Sequence, residues 1–339
     1  MTTTQHIHQR IDANSEPPMV RPMEVWTELE SKRLIQKRGG VSTGFERINE
    51  IWTVKKGFPV FIAGAPHSGK TQFSKQILVN LSVLHGWRHC VYFGEDGTAD
   101  DIVLDLVECY TRKPARRWTD EGKEQRDALT DGQFHAAVDW INKHFTIVDT
   151  DRMAGKSGTF DVYQFYSWVD QYQREQGFTF DTTTIDPWND LSMNLSGHGG
   201  RQDLYLADAL RHVRDKAKEH HRVDFVINHI ADQKTYHVSD RGRRYSPPAE
   251  PSEWAGGQTW HRRAFTMLLV YRPPAPDSIK FATRQKPIET KPGECWIVNQ
   301  KAKPKGTGKL GRAVLYFDRV ANCYHEFHEN VLRYPYPTP

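Results

Sequence analysis

The octet Gly64-Ala-Pro-His-Ser-Gly69-Lys70-Thr71 fits the pattern G-x-x-x-x-G-K-[ST]. In such a loop the glycines let backbone N–H groups turn inward around phosphate oxygens, and the following helix adds partial positive charge. Lys70 neutralises β- and γ-oxygens, and the Thr71 hydroxyl holds Mg²⁺. Gly64, Ser68, Gly69, Lys70, Thr71 and Gln72 are the candidate contacts to ATP or another nucleoside triphosphate. Hydrolysis also requires a carboxylate for the metal and a base for the attacking water. Asp186 ends Phe180-Asp-Thr-Thr-Thr-Ile185 and stands where a metal-holding aspartate belongs. Glu95 ends Val91-Tyr-Phe-Gly94 and is a candidate to polarise water, with Asp96 as the competitor. His229 ends Asp224-Phe-Val-Ile-Asn228, where a polar side chain can sense the γ-phosphate.

These residues need a scaffold that delivers strand ends to one place. Apolar runs predict strands at Pro59–Ala63, Cys90–Phe93, Phe145–Val148, Thr179–Ile185, Asp224–Asn228, Phe265–Tyr271, Cys295–Asn299 and Ala313–Phe317. Helical spacing predicts helices at Lys70–Leu84, Thr98–Tyr110, Asp131–Lys143, Val162–Gln176 and Gln202–His220. The alternation reads as an α/β fold: a mostly parallel central sheet flanked by helices, with an antiparallel extension at one edge. Ligands of such sheets bind at the carboxyl ends of the strands, where the candidates fall. Residues 1–22 read as a disordered arm, 23–41 as a linker with one amphipathic helix, 42–330 as the ATPase domain and 331–339 as an extended, proline-rich tail.

The 339 residues are 37% hydrophobic and 26% charged, as in a soluble globular protein. No apolar run approaches the roughly 18 residues that a membrane span needs, and the N-terminus lacks a signal-peptide core. Cys90, Cys109, Cys295 and Cys323 form no CxxC pair and read as buried free thiols of a reducing cytoplasm. A net charge of +4 is compatible with a polyanionic partner. Lys234, Arg241, Arg243 and Arg244 concentrate in a segment following His229, and Arg201 ends a second flexible loop. Both are candidate grips for nucleic-acid phosphates.

Taken together, these motifs resemble the superfamily-4 replicative helicases with a RecA-like motor core: DnaB-type helicases, phage primase-helicases and Twinkle. The resemblance covers residues 42–320. Thr43-Gly44-Phe45 with Ile48 and Ile51 resembles the family's opening segment, and Tyr92-Phe-Gly-Glu95 the strand carrying its catalytic glutamate. Ile185-Asp-Pro-Trp-Asn-Asp-Leu191 resembles Walker B, and Ile227-Asn-His229 the γ-phosphate sensor. Ala255-Gly256-Gly257-Gln-Thr-Trp260 resembles the DNA-binding loop, although Phe265 stands where the family carries an aspartate. Arg272 and Phe317 fall where the family encloses the nucleobase. Lys301-Ala-Lys303 resembles the trans-acting Lys-x-Arg motif, with a lysine in place of the arginine. A lysine lacks the planar fork that spans two phosphate oxygens.

The resemblance implies a homo-hexameric ring that hydrolyses ATP with Mg²⁺ between subunits and moves 5′ to 3′ on single-stranded DNA. It further implies a primase or loader as partner, a linker helix packed on the adjacent subunit, and the cytoplasm of a bacterial or phage-infected cell. The alternatives are a RecA-like recombination ATPase, or a regulatory or defence ATPase without motor activity.

Overall fold

The computed structural model describes residues 19–34, 39–119, 121–125, 127–152, 159–281, 286–303, 305–328 and 331–338. Most of the expected N-terminal arm, residues 1–18, lies outside them. The chain divides into Met1–Arg38 and Gly39–Pro339. In the first unit a 3₁₀ turn at Pro22–Val25 runs into helix α1 (Trp26–Leu34), the position of the expected linker helix.

The second unit begins with α2 (Glu46–Ile51), which buries Ile48 and Ile51 and has its first N–H groups capped by the Glu326 carboxylate at 2.8 and 3.0 Å. Strand β1 (Val60–Gly64) leads through the glycine loop into α3 (Lys70–His85). Next come β2 (His89–Phe93), α4 (Ala99–Thr111), α5 (Asp131–His144), β3 (Phe145–Ile147) and α6 (Val162–Gln176). After them run β4 (Thr182–Asp186), α7 (Gln202–Glu219), β5 (Val223–His229) and a ribbon of β6 (His237–Val238) with β7 (Arg244–Tyr245). Helix α8 (Gln258–Arg263) precedes β8 (Thr266–Tyr271), and β9 (Asp277–Ile279) pairs with β10 (Ile288–Thr290). The chain closes with β11 (Glu294–Ala302), β12 (Gly311–Asp318), β13 (Cys323–His328) and β14 (Val331–Arg333).

The main sheet has the order β14-β13-β12-β11-β8-β1-β5-β4-β2-β3. Strands β8, β1, β5, β4, β2 and β3 are mutually parallel, and β11 to β14 extend the β8 edge antiparallel. This is the expected fold class. All eight predicted strands and five predicted helices are present, with ends displaced by at most a few residues. The four cysteines are buried free thiols. Among the described residues no helix is long and apolar enough to cross a membrane.

A strand buried on both faces is normally a continuous apolar run, yet β4 buries Thr182, Thr183 and Thr184. Neighbouring strands satisfy two of the hydroxyls: Thr182 Oγ1 lies 2.7 Å from His89 Nδ1, and Thr183 donates to Asp224 at 2.7 Å. Burial holds His89 far down, at about 3, so its ring is neutral. A boundary at residue 330 does not correspond to a break in packing. Val331–Arg333 continues the sheet, and buried Tyr336 donates to the carbonyl of Cys109 at 3.0 Å.

Candidate nucleotide site

The site stands on four parallel strands. Strand β1 ends in the glycine loop, where Gly69 caps α3 at φ 90°. A left-handed residue is required there, and glycine adopts it without steric cost. Gly64 is needed for closeness instead: a Cβ there would lie 2.3 Å from Ser68 Oγ and 2.6 Å from the Val270 carbonyl. Lys70 is largely buried at the first position of α3, and Ser68 is buried beside it with no hydrogen-bond partner for its hydroxyl. Gln72 donates to the Asn322 carbonyl at 2.6 Å. That contact belongs to the fold and gives no support to direct binding of nucleotide by Gln72.

Asp186 ends β4 and is buried, with Oδ2 lacking any partner. Burial foremost, helped by the nearby Asp96 charge, pushes its carboxyl up to about 7, against a hydrogen bond from Thr71 and the charges of Lys70 and Lys75. A buried carboxylate oxygen without a partner is costly unless something supplies a positive charge. Thr71 and Asp186 together therefore fit Mg²⁺, which takes few protein ligands and keeps phosphate and water oxygens for the rest. Among the described residues no group of three or more His, Cys, Asp or Glu is placed to hold a metal ion.

Glu95 lies just beyond β2 and is exposed. The Gly94 N–H donates to the Asp186 carbonyl at 2.8 Å, which ties this turn to the metal-side strand. Tyr92 reinforces the tie by donating to Asp190 in the turn after β4. Across the sheet, His229 Nε2 approaches Glu95 Oε2 at 3.6 Å. Desolvation and the Lys70 charge hold His229 below its ordinary value, with Glu95 pulling the other way. The competitor Asp96 is already engaged: it pairs at 2.8 Å with Lys75, a buried lysine that also meets Asp105 at 2.6 Å. Glu95 is thus the freer carboxylate.

Arg272 follows β8, and its guanidinium lies 5.7 Å from the Phe317 ring centre. The two residues frame a small cavity of about 140 Å³ with Gly293 and Arg319. Sequence reasoning found this pair but missed Tyr324, whose hydroxyl donates to the Gly69 carbonyl at 3.2 Å. Tyr324 sits on β13, whose polar residues His325 and Glu326 are buried, and so the apolar alternation that marks a strand is absent.

Lys301 and Lys303 are not brought to this site. Strand β11 runs antiparallel to β8, with Trp296 opposite Tyr271 and Ala302 opposite Thr266. The lysines therefore lie at the far end of β8, about 17 Å (Lys301) and about 23 Å (Lys303) along the strand from Arg272. Lys301 donates to the His261 carbonyl, and the Lys303 N–H donates to the Phe265 carbonyl at 2.9 Å. Desolvation and Lys303 hold Lys301 down; burial and both lysines hold His261 down. Arg262 and Arg263, exposed on α8, extend this cationic end and were not singled out from the sequence.

Of the basic loop, Lys234, Arg241, Arg243 and Arg244 are exposed. Arg243 is partly engaged, donating to the Ala275 carbonyl at 2.9 Å and lying 3.8 Å from buried Asp277. Arg244 stacks on Tyr236, 3.8 Å from its ring centre, and lines a cleft of about 450 Å³ with Pro66, His67 and Gln233. Arg201 is exposed and paired with Asp203 through two nitrogens. Gly257 is open, at φ 68°. By contrast, a Cβ on Gly256 would lie 2.8 Å from Leu206 and 2.9 Å from the Trp260 indole nitrogen. Gly256 is therefore required by packing, whatever else its backbone touches.

No family model matches the chain. A stretch of 75 residues is 31% identical to the Twinkle homolog protein, chloroplastic/mitochondrial, of Arabidopsis thaliana; it covers 22% of this chain and 10% of that protein. The match therefore spans about a tenth of that relative's length. Among solved structures, the ATPase domain of G40P superposes with a TM-score of 0.67 at 16% identity, over 91% of this chain and 99% of that one. A DnaB-like replicative helicase, solved for its interactions with primase, gives 0.66 at 16% identity, over 90% of this chain and 68% of that one. The chain has the fold of a DnaB-like helicase ATPase domain.

Proposed function

We propose that this chain is an ATP-dependent, ring-forming translocase that moves on single-stranded DNA and unwinds duplex in replication. The observation that carries the reading is a split. Lys70, Thr71, Asp186, Glu95 and His229 gather at one end of the parallel strands, while Lys301 and Lys303 sit at the other. Cations at the far end cannot serve their own nucleotide, but in a ring they can face a neighbour's. Lys70 and the loop backbone bind the triphosphate. Thr71 and Asp186 hold Mg²⁺, which supplies Lewis-acid charge when bound. Glu95 orients water, and His229 links Glu95 to the loops at 232–246 and 255–262. Exposed Lys234, Arg241 and Arg244 grip DNA phosphates. In this reading the chain assembles as a homo-hexamer, travels 5′ to 3′ and works with a primase or loader; the likeness in fold to a DnaB-like helicase solved for its interactions with primase supports it. The test is ATP hydrolysis with and without single-stranded DNA: stimulation supports a DNA motor, and an unchanged rate counts against it.

A further inference from the structure

The hairpin of β12 and β13 meets the phosphate loop at Gly69 and the helix behind it, α3, at Gln72, Phe73 and Gln76. Tyr324 is fully buried. Its hydroxyl donates to the Gly69 carbonyl, and Arg272 and Cys295 are its other side-chain neighbours. A Cβ built on Gly69 would lie 2.3 Å from that hydroxyl and 3.6 Å from Arg272 Nη2, so the three groups share one small volume. The Tyr324 ring also contacts Phe317, with centres 5.0 Å apart, and Phe73 of α3 at 6.3 Å. Next door, the Tyr324 N–H donates to Gln76 at 3.1 Å, and the Asn322 carbonyl accepts from Gln72. Asn322 in turn donates to Asp105 and Glu108 of α4 at 3.2 and 3.1 Å. One phenol thus touches the phosphate loop and both sides of the cavity framed by Arg272 and Phe317.

We propose that Tyr324 is a positioning residue that couples the cavity between Arg272 and Phe317, where a nucleobase would stack, to the phosphate loop at Gly69. The inference rests on the nucleotide reading of the site and deepens it, without depending on DNA. A hydroxyl that donates to the Gly69 carbonyl and packs against Arg272 fixes the spacing between the guanidinium and the phosphates. With that spacing set in advance, a ligand carrying both base and triphosphate binds with the advantage of two linked contacts. Without the hydroxyl, the triphosphate still finds its loop, but the base platform is no longer registered to it.

The experiment compares Kd for ATP and for inorganic tripolyphosphate, each with Mg²⁺, in wild type, Tyr324→Phe, Phe317→Ala and the double variant. Wild type binds ATP more tightly than tripolyphosphate. Tyr324→Phe keeps the ring and is expected to weaken ATP about tenfold, near the upper value of one lost hydrogen bond, while tripolyphosphate changes less than about twofold. In the Phe317→Ala background, Tyr324→Phe is expected to add less than about twofold to the loss for ATP. Equal losses for both ligands would make Tyr324 a simple brace of the loop and overturn the coupling, as would no loss, or full additivity in the double variant. Failure of wild type to bind either ligand would instead sink the nucleotide reading itself.

Discussion

His229 Nε2 lies 3.6 Å from Glu95 Oε2, so the end of β5 reaches over β4 to the turn beyond β2. Strand β4 lies between the two strands, and the carbonyl of its last residue, Asp186, accepts from the Gly94 N–H. A residue placed to orient water is thereby joined to one placed at the start of the basic loop. Glu95→Gln is expected to lower ATP turnover by roughly 10²–10⁴-fold, the usual worth of a general base, with ATP affinity preserved. Single-turnover hydrolysis beside equilibrium binding checks this; a large affinity loss with turnover intact would assign Glu95 to binding.

The carboxyl of Asp186 is pushed up to about 7, chiefly by burial. Its folded value exceeds its unfolded one, so in metal-free protein the ionised group costs stability in full above about 7, and that cost fades as pH falls from 7 toward 4. Asp186→Asn should therefore raise Tm at pH 8 and lose this advantage as pH falls through that window. Cation binding requires the ionised form. Mg²⁺-dependent ATP affinity should thus drop as pH passes below about 7 in wild type, and Asp186→Asn should show a weak, nearly pH-independent Mg²⁺ requirement. Isothermal titration at pH 6 and 8 reads both proteins.

Lys75 is buried between two partly exposed carboxylates, Asp96 and Asp105. Desolvation is the largest single influence and pulls its pKa down, but the charges and hydrogen bonds of Asp96 and Asp105 together outweigh it and raise the pKa. Truncation of one member of such a group costs about 3 kcal/mol, the low end for a buried pair because the remaining carboxylates reach water. Lys75→Ala should lower Tm by several degrees. It should also free Asp96, so residual activity in Glu95→Gln/Lys75→Ala above that of Glu95→Gln alone would identify Asp96 as a substitute base.

Much of this architecture is legible in the residues. The loop from Gly64 to Thr71, the strand ends at Glu95, Asp186 and His229, and eight strands of the main sheet follow from motif and periodicity. Other features are not legible, for identifiable reasons. Ribbons such as β6–β7 are two residues per strand, too short to carry a period. Strand β13 hides its pattern behind buried His325 and Glu326. Tyr324 meets Gly69 across 255 positions of sequence, a pairing that no local spacing encodes. Gly256 reads as a backbone approach to DNA, whereas its neighbours Leu206 and Trp260 already demand glycine there.

The far-end placement of Lys301 and Lys303 predicts complementation between subunits. Lys70→Ala and Lys301→Ala/Lys303→Ala proteins should each be inactive alone. Mixed, they should regain part of the DNA-stimulated ATPase, because some interfaces pair an intact loop with intact lysines. Lys303→Arg should hydrolyse ATP at least as fast as wild type, since the planar guanidinium spans two phosphate oxygens. No recovery on mixing, in proteins that still co-assemble, would place the lysines outside catalysis.

The central claim is that hydrolysis at this site drives movement along DNA, and unwinding of a forked duplex tests it most directly. The account predicts ATP- and Mg²⁺-dependent strand separation by wild type, none by Lys70→Ala, and loss on neutralising Lys234, Arg241 and Arg244 together. A fork left intact by wild type under conditions where ATP is hydrolysed would contradict it.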